Sequence, residues 1–319
     1  MKTISIITPV YNEYENLTEL VNSIKEVARI EKDYLFEHII IDNDSSDHSR
    51  DKIAELIKEN PHLGAIYNRR NFGQLRSPFH GLLSTNSDAV ILMCADLQEP
   101  PELIHKFLRE WENGYEVVAG VRSKSREGLI ISLARKAYYN IINSISDYTQ
   151  IQNFTGFALY DASVINEFRK IPDTYPYTRG LITDLGYKPK YIFFEQGQRK
   201  GGKSKNNYVS LFDYAIHGIT ANSKLPIRAL TLMGLFFSSF TFLIGIIYLI
   251  AKLLFWDSFY AGLAPLIIIT AFGFSIVLFF LGLIGEYVAS IHTQILNRPR
   301  VTELERINLP CKGKINQIS

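Results

Sequence analysis

Cysteine is scarce. The 319 residues carry two, Cys94 and Cys311, so there is no disulfide framework and a reducing compartment fits the chain best. Net charge is nearly absent as well. Lys and Arg number 34 against 32 Asp and Glu, and a formal +2 is too small to make nucleic acid the main partner. Internal repeats and low-complexity tracts are missing. The opening segment MKTISIITPVYNE is short, β-branched and soon polar, so it reads as a first strand and not as a signal peptide. The length leaves room for one large domain plus an appendage.

The most informative absence is local. No charged residue occurs from Ala229 to Ala251, nor from Ser258 to Gly285. A helix of the first length spans roughly 35 Å, against a hydrocarbon core of ~30 Å. Soluble helices seldom run so long without a charge, so two membrane spans are expected in place of two buried core helices. The intervening KLLFWDSFYAG makes them a tight hairpin with Trp256 and Tyr260 at an interface. Lys224 and Arg228 precede the first span, Arg298 and Arg300 follow the second, and the turn offers only Lys252 against Asp257. The positive-inside rule then puts both termini in the cytoplasm, on a multi-pass protein of the inner cell membrane. The expected layout is a soluble domain over 1–205, a juxtamembrane amphipathic helix over 206–226, the hairpin over 227–287 and a cytoplasmic tail over 288–319. An exposed hairpin is also suited to pack against copies of itself, as in a homo-oligomer.

What is present in the soluble part alternates. TISIITPV, LFEHIIID, GAIYN, AVILMCAD and YEVVAG are short apolar runs, separated by helical stretches at Asn16–Ala28, Arg50–Glu59, Leu75–Ser84 and Pro101–Asn113. This pattern predicts βαβ units and an α/β fold with a mostly parallel, Rossmann-like sheet, helices on both faces. Ligands of such sheets bind beyond the carboxyl ends of the strands.

Three strand ends carry chemistry. After the first run, Pro9 is expected to stop pairing, while Tyr11, Asn12 and Glu13 offer a ring face and polar groups; Asn12 or Glu13 can equally cap the next helix. After the second come Asp42, Asn43, Asp44 and Asp47, able to accept from a base N–H or ribose hydroxyls. One helix cap needs only one of them, and the surplus of acids favours a ligand. After the fourth comes Asp96, then Gln98, Glu99 and two prolines. A carboxylate beside an amide oxygen at this edge suits Mg²⁺ or Mn²⁺ held partly by substrate phosphates.

Residues Gly197, Gly202, Lys203 and Ser204 match the phosphate-loop pattern G-x-x-x-x-G-K-[ST]. The usual order of that motif is inverted here, since the acidic strand end VILMCAD precedes it by about a hundred residues. The following YVSLFDYAIHGITANSKLP runs toward the membrane spans, with Tyr208, Leu211, Phe212 and Ala215 on one side. The stretch is therefore expected at the bilayer surface, where Arg199, Lys200, Lys203 and Lys205 suit a lipid phosphate or a diphosphate. A plain headgroup-attracting basic patch is the competing reading.

SIITPVYNE, the acidic cluster, RRNFGQ and ADLQEPPEL stand in the order and spacing of family-2 glycosyltransferases of the GT-A fold. GVRSKSREG, PYTRGLITDLGY, QRKGGKSKNN and the hairpin continue the match, and about the first 300 residues are covered. The branch it resembles is the polyprenyl-phosphate glycosyltransferases, akin to dolichyl-phosphate mannose synthase and to bacterial enzymes charging undecaprenyl phosphate. The resemblance implies a nucleotide-sugar and metal half over 1–120 and an acceptor half over 121–205. It implies an inverting transfer of a sugar, most readily glucose from UDP-glucose, onto undecaprenyl phosphate. UDP-GlcNAc, UDP-galactose or GDP-mannose are the alternative donors, and a catalytically silent nucleotide-sugar-binding module is the rival of another class. Expected contacts are Pro9, Tyr11, Glu13, Asp42, Asn43 and Asp44 with the nucleotide, and Asp96 and Gln98 with Mg²⁺ or Mn²⁺. Arg122, Arg179, Arg199, Lys203, Ser204 and Lys205 are expected at the acceptor phosphate, with Asp96 and Arg199 critical for catalysis and Arg126 adding to the same field.

Three departures from the family pattern stand out. The usual Asp-x-Asp is Cys94-Ala95-Asp96, and Asp-Asp-Gly-Ser is Asp42-Asn43-Asp44-Ser45. Where many relatives carry Asp-Phe-Arg-Leu, this chain has TGFALYD, which places Gly156 at the acid's position and leaves no general base to assign. A processive polysaccharide synthase is disfavoured, since neither Trp111 nor Trp256 forms a Gln-x-x-Arg-Trp motif.

Overall fold

The computed structural model describes residues 1–123, 153–197, 263–296 and 298–309, with isolated positions between 232 and 254. The basic stretch 198–205 and the expected amphipathic helix over 206–226 lie outside the described residues, and the first expected span is represented only by those isolated positions.

The elements in order are β1 (Lys2–Val10), α1 (Tyr14–Ile30), β2 (Tyr34–Asp42), α2 (Ser49–Glu59), β3 (Leu63–Asn68) and α3 (Gly73–Leu82). Then follow β4 (Ala89–Leu92), α4 (Leu103–Glu112), β5 (Val117–Arg122), β6 (Phe154–Asp161), α5 (Ala162–Lys170) and α6 (Thr178–Asp184). The last are β7 (Lys190–Phe194), α7 (Leu263–Ile295) and β8 (Glu303–Ile307). The strands form one sheet in the order β7-β5-β6-β4-β1-β2-β3-β8. The β1/β2, β1/β4, β2/β3 and β5/β7 pairs are parallel, and only β6 and β8 run against the rest.

Alternation along the strands divides two cores. In β1, Ile4 and Ile6 pack on one face with Leu17, Leu20 and Ile53, while Ile7 packs on the other with Phe79 and Leu82. In β2, Phe36 and Ile40 face the first core, Ile39 and Ile41 the second. Both faces are covered by helices, as expected for a sheet whose strands read as almost unbroken apolar runs.

Pro9 does not end β1. The strand continues to Val10, with Pro9 opposite Ile41 and Val10 opposite Asp42. Pairing with β4 stops at Ile7, whose carbonyl accepts from Met93. The missing Pro9 N–H lies on that side, where no ladder partner is left to lose.

The segment after α7 is more than a tail, because β8 extends the sheet antiparallel to β3. Arg69 donates its backbone N–H to Thr302 (3.0 Å) and Arg76 donates to Pro299 (2.8 Å). Glu303, 12% exposed, receives His80 at 2.5 Å and Arg306 at 2.5 Å. One helix among the described residues is long and apolar enough to cross a membrane; its candidate span, Ile276–Ile295, lies within α7. Leu266, Phe274 and Leu278 lie about two-thirds exposed on it. Near its C-terminal end Gln294 donates to Asp173 Oδ1 (2.6 Å) and Arg300 donates to the Asp173 carbonyl (2.6 Å), so the helix is docked on the loop between α5 and α6.

His38 is fully enclosed beneath the sheet's first face, with Nε2 3.0 Å from the Thr8 hydroxyl. Burial drives its imidazole from the usual 6.5 down to about 3. The unfolded chain takes up a proton at His38 below about 6.5, and the native state does not until about 3. The stability this group contributes is therefore complete above pH 6.5 and is lost as pH falls toward 3, by about 1.4 kcal/mol per pH unit. In His38→Gln, which keeps a partner for Thr8, the thermal midpoint is expected to fall less steeply between pH 6.5 and 4.5 than in the wild type. Equal slopes would contradict the assignment.

Candidate active site

The carboxyl rim of the sheet gathers the ends of β1, β2, β4, β5 and β7 with the start of the reversed β6. On the β1–β2 side two loops are stitched together. Asn12 lies at φ 58°, in the left-handed region that asparagine tolerates. Its side-chain oxygen accepts from the Ser46 N–H (2.6 Å), its amide donates to the Ser46 hydroxyl (2.9 Å), and its own N–H donates to Ser45 (2.9 Å). Glu13 precedes α1 and accepts from the Asn16 amide at 2.7 Å. Asp47 accepts from the Ser49 N–H at 2.9 Å, so this acid of the cluster serves the start of α2.

Asp42 is 2% exposed and accepts from the Ser45 N–H at 3.2 Å. Burial pushes its carboxyl above the ordinary value, while the bonds from Ser45 pull the other way. Asp44 beside it sits at φ 64°. Asn43 is 6% exposed; its oxygen accepts from Asn68 (3.0 Å) and Phe72 N–H (2.9 Å), and its amide donates to Asn71 (2.9 Å). That set of bonds holds the RRNFGQ loop against the β2 end of the rim.

On the β4 side the chain turns at Asp96-Leu97-Gln98. Leu97 lies at φ 56°, a strained conformation for a bulky residue. The turn is closed by the Gln98 N–H donating to Asp96 Oδ1 at 3.2 Å. Asp96 is no helix cap, since α4 begins only at Leu103 with Glu102 before it. Beyond the turn, Gln98 Oε1 accepts from the Gln196 amide (2.6 Å), and Gln196 Oε1 accepts from Arg122 (2.8 Å). The Gly197 N–H donates to the Gln98 carbonyl at 3.2 Å. Gln196 and Gly197 therefore rest on the Asp96 turn.

Glu99 points inward, 3% exposed, accepting from the Cys94 N–H (2.8 Å) and the Thr155 hydroxyl (2.7 Å). Burial lifts its carboxyl to about 7. Arg179, in α6, donates to the Thr155 carbonyl at 2.9 Å. Of the expected residues, Asp96, Gln98, Arg122 and Arg179 come together here, while Arg126, Arg199, Lys200, Lys203, Ser204 and Lys205 lie outside the described residues. Glu99, Thr155 and Gln196 were not singled out from sequence; an acid beside Gln98 was visible, but the burial that defines it was not.

Among the described residues no three His, Cys, Asp or Glu side chains cluster as a metal cage. The donor set here is one carboxylate, Asp96, and one amide oxygen, Gln98. That fits a hard divalent cation that takes its remaining ligands from substrate phosphates and water. Cys94 does not join it. Burial first, then the neighbouring carboxylates of Glu99 and Asp96, push its thiol well above the usual range, and a protonated thiol is no ligand for Mg²⁺.

A mostly parallel sheet with helices on both faces and an acidic turn at its carboxyl rim defines the class, the GT-A glycosyltransferases. The chain belongs to glycosyl transferase family 2, whose model matches residues 5–169. It is 30% identical over 297 residues to an uncharacterised glycosyltransferase of Synechocystis, covering 93% of each chain. It is likewise 30% identical over 298 residues to the SfII prophage-derived bactoprenol glucosyl transferase of Shigella flexneri, covering 93% of this chain and 96% of that one. Glucosyl-3-phosphoglycerate synthase of Mycobacterium tuberculosis, in complex with phosphoglyceric acid, shares the fold at TM-score 0.50 and 16% identity, over 69% of this chain and 78% of that one.

The thiol can be tested directly. Alkylation of Cys94, followed by peptide mass spectrometry, is expected to run at least about tenfold slower at pH 8 than that of an unstructured thiol peptide. Its rate should still be climbing above pH 10, where an ordinary thiol, with a pKa of about 8.5, has levelled off. Because Cys94 is only partly covered, a half-maximal rate near pH 8.5 would mean an ordinary thiol and contradict the argument from burial and neighbouring charge.

Proposed function

We propose that the chain transfers a sugar, glucose from UDP-glucose, to undecaprenyl phosphate at the cytoplasmic face of the membrane, with inversion at the anomeric carbon. The observation that carries this reading is the meeting of the Asp96–Gln98 turn, Arg122, Arg179 and Gly197 at one rim. A second support is the apolar helix α7, docked by Gln294 on the same domain. A third is the alignment with bactoprenol glucosyl transferases over 93% of the chain.

The residues divide between two anions. Pro9, Tyr11, Glu13, Asp42 and Asp44 border the nucleotide, and Asn43 holds the RRNFGQ loop in place beside it. Asp96 and Gln98 would hold Mg²⁺ or Mn²⁺, and a bound divalent ion supplies charge stabilisation for the departing diphosphate. Arg122, Arg179, Arg199, Lys203, Ser204 and Lys205 receive the lipid phosphate. That phosphate has a second pKa near ~6, so its oxygen is already anionic at neutral pH and needs no strong base to become a nucleophile. Gly156 at the place of the family's acid is compatible with such an acceptor. Fixed positive groups around the acceptor lower the repulsion between the two anions and let the oxygen approach the anomeric carbon opposite the leaving diphosphate.

One observation favours a second reading. Cys94 and Gly156 both stand where relatives carry acids, which fits a silent nucleotide-sugar-binding module. Purified protein incubated with undecaprenyl phosphate, Mg²⁺ or Mn²⁺ and a panel of UDP-glucose, UDP-GlcNAc, UDP-galactose and GDP-mannose separates the two. A hexosyl-lipid product by mass, formed from UDP-glucose, is the expected result, and no product from any donor would establish the module. Asp96→Ala and Arg199→Ala are each expected to lower turnover at least about a hundredfold while the thermal midpoint stays put. Full activity in either removes that residue's assignment.

A further inference from the structure

We infer that Glu99 is a positioning residue that holds the acceptor side of the rim at a fixed distance from the Asp96 turn, through Thr155 and Arg179. The inference rests on the donor and acceptor sides proposed above.

Its basis is a gap in the sheet. Ala119 pairs with Ala158 and Val121 with Phe154, so Thr155, Gly156 and Phe157 together oppose the single residue Gly120. These three bulge out of the β5–β6 ladder, and pairing of β6 with β4 has already ended at Ala158. The backbone has positive φ before the bulge, at Asn153 (57°), and within it, at Gly156 (106°). The bulge presses on β5: a Cβ added at Gly120 would meet Phe157 Cδ1 at 3.0 Å and the Phe157 carbonyl at 3.2 Å. The ladder resumes at Phe154, but Thr155 itself has no ladder partner, and side chains hold it in place.

The side chain that does so is Glu99. One oxygen takes the Cys94 N–H at 2.8 Å, at the root of the turn that carries Asp96; the other takes the Thr155 hydroxyl at 2.7 Å. Thr155 Oγ1 in turn accepts from the Phe157 N–H at 3.3 Å, which closes the bulge on itself. The Thr155 carbonyl, fixed by these bonds, is the acceptor for Arg179 at 2.9 Å. A chain of three links thus runs from the donor turn to an acceptor-side guanidinium. At 3% exposure, with both oxygens engaged inside the protein, Glu99 has no route to touch substrate itself.

The tether predicts a split between the two substrates. In the full-length protein assayed with undecaprenyl phosphate, UDP-glucose and Mg²⁺, Thr155→Val cuts the middle link. It is expected to raise KM for the lipid phosphate about tenfold and leave KM for the nucleotide sugar within about twofold. Glu99→Ala should reproduce that split. Glu99→Gln should largely rescue it, since its oxygen can accept from Cys94 while its amide donates to Thr155. Unchanged lipid KM in both Thr155→Val and Glu99→Ala, or both KM values rising in step with a lowered thermal midpoint, overturns the inference. A wild type inert with every donor overturns the underlying reading and the tether's role with it. Active wild type with unaltered variants overturns the tether alone.

Discussion

One contact ties the two sides of the carboxyl rim together. The Gly197 N–H rests on the Gln98 carbonyl (3.2 Å) beside the Gln196–Gln98 side-chain bond (2.6 Å). The residues that follow Gly197 are the basic stretch, and the residues that precede Gln98 are the acidic turn. Gly197 is thereby held on the turn where a cation and a diphosphate are proposed to sit. Arg122 extends the same chain through Gln196 at 2.8 Å. Charge-assisted bonds of this kind are shorter and stronger than neutral ones, and inside a partly enclosed rim they are only weakly screened.

The rest of the molecule keeps that rim rigid. The reversed β6 brings Thr155 and Gly156 to the carboxyl edge, which a parallel strand at the same place would have left at the opposite end. On the far edge, β8 covers β3 and carries Glu303 into a nearly buried cluster with His80 and Arg306. Removing one member of such a cluster leaves an uncompensated polar or charged group inside, at a cost of about 3–5 kcal/mol. The same segment ties the end of α7 to the loop at Asp173, so an apolar helix is anchored on the sheet domain.

Much of this was legible in the sequence. Short, almost unbroken apolar runs and the helices between them pointed to the parallel core, because each strand is buried on both faces and carries its own turn chemistry. The Asp96-Leu97-Gln98 turn was recognisable from its acid, amide and two prolines. The direction of β6 was not, because FTGFALYD reads as a strand whichever way it runs. Nor was β8, since three of the five residues of ELERI are charged and it takes its strand form only from the edge of β3. Pro9 misled for a local reason: a proline stops a strand only where its missing N–H had a partner. Among the acids after β2, the burial of Asp42 was not legible, whereas Asp47 suits a helix start in sequence and accepts from the Ser49 N–H. Glu99 shows the same limit, its importance lying in contacts with Cys94 and with Thr155, 56 residues away.

The central claim is that the cation and the donor diphosphate meet at the Asp96 turn, beside Gly197. Anomalous diffraction from crystals grown with Mn²⁺ and UDP tests it most directly. The account predicts a manganese peak at about 2.2 Å from an Asp96 carboxylate oxygen, also touching a diphosphate oxygen. A diphosphate cradled by Gly197–Ser204 in the manner of a nucleoside triphosphate, with no manganese at Asp96, would contradict it.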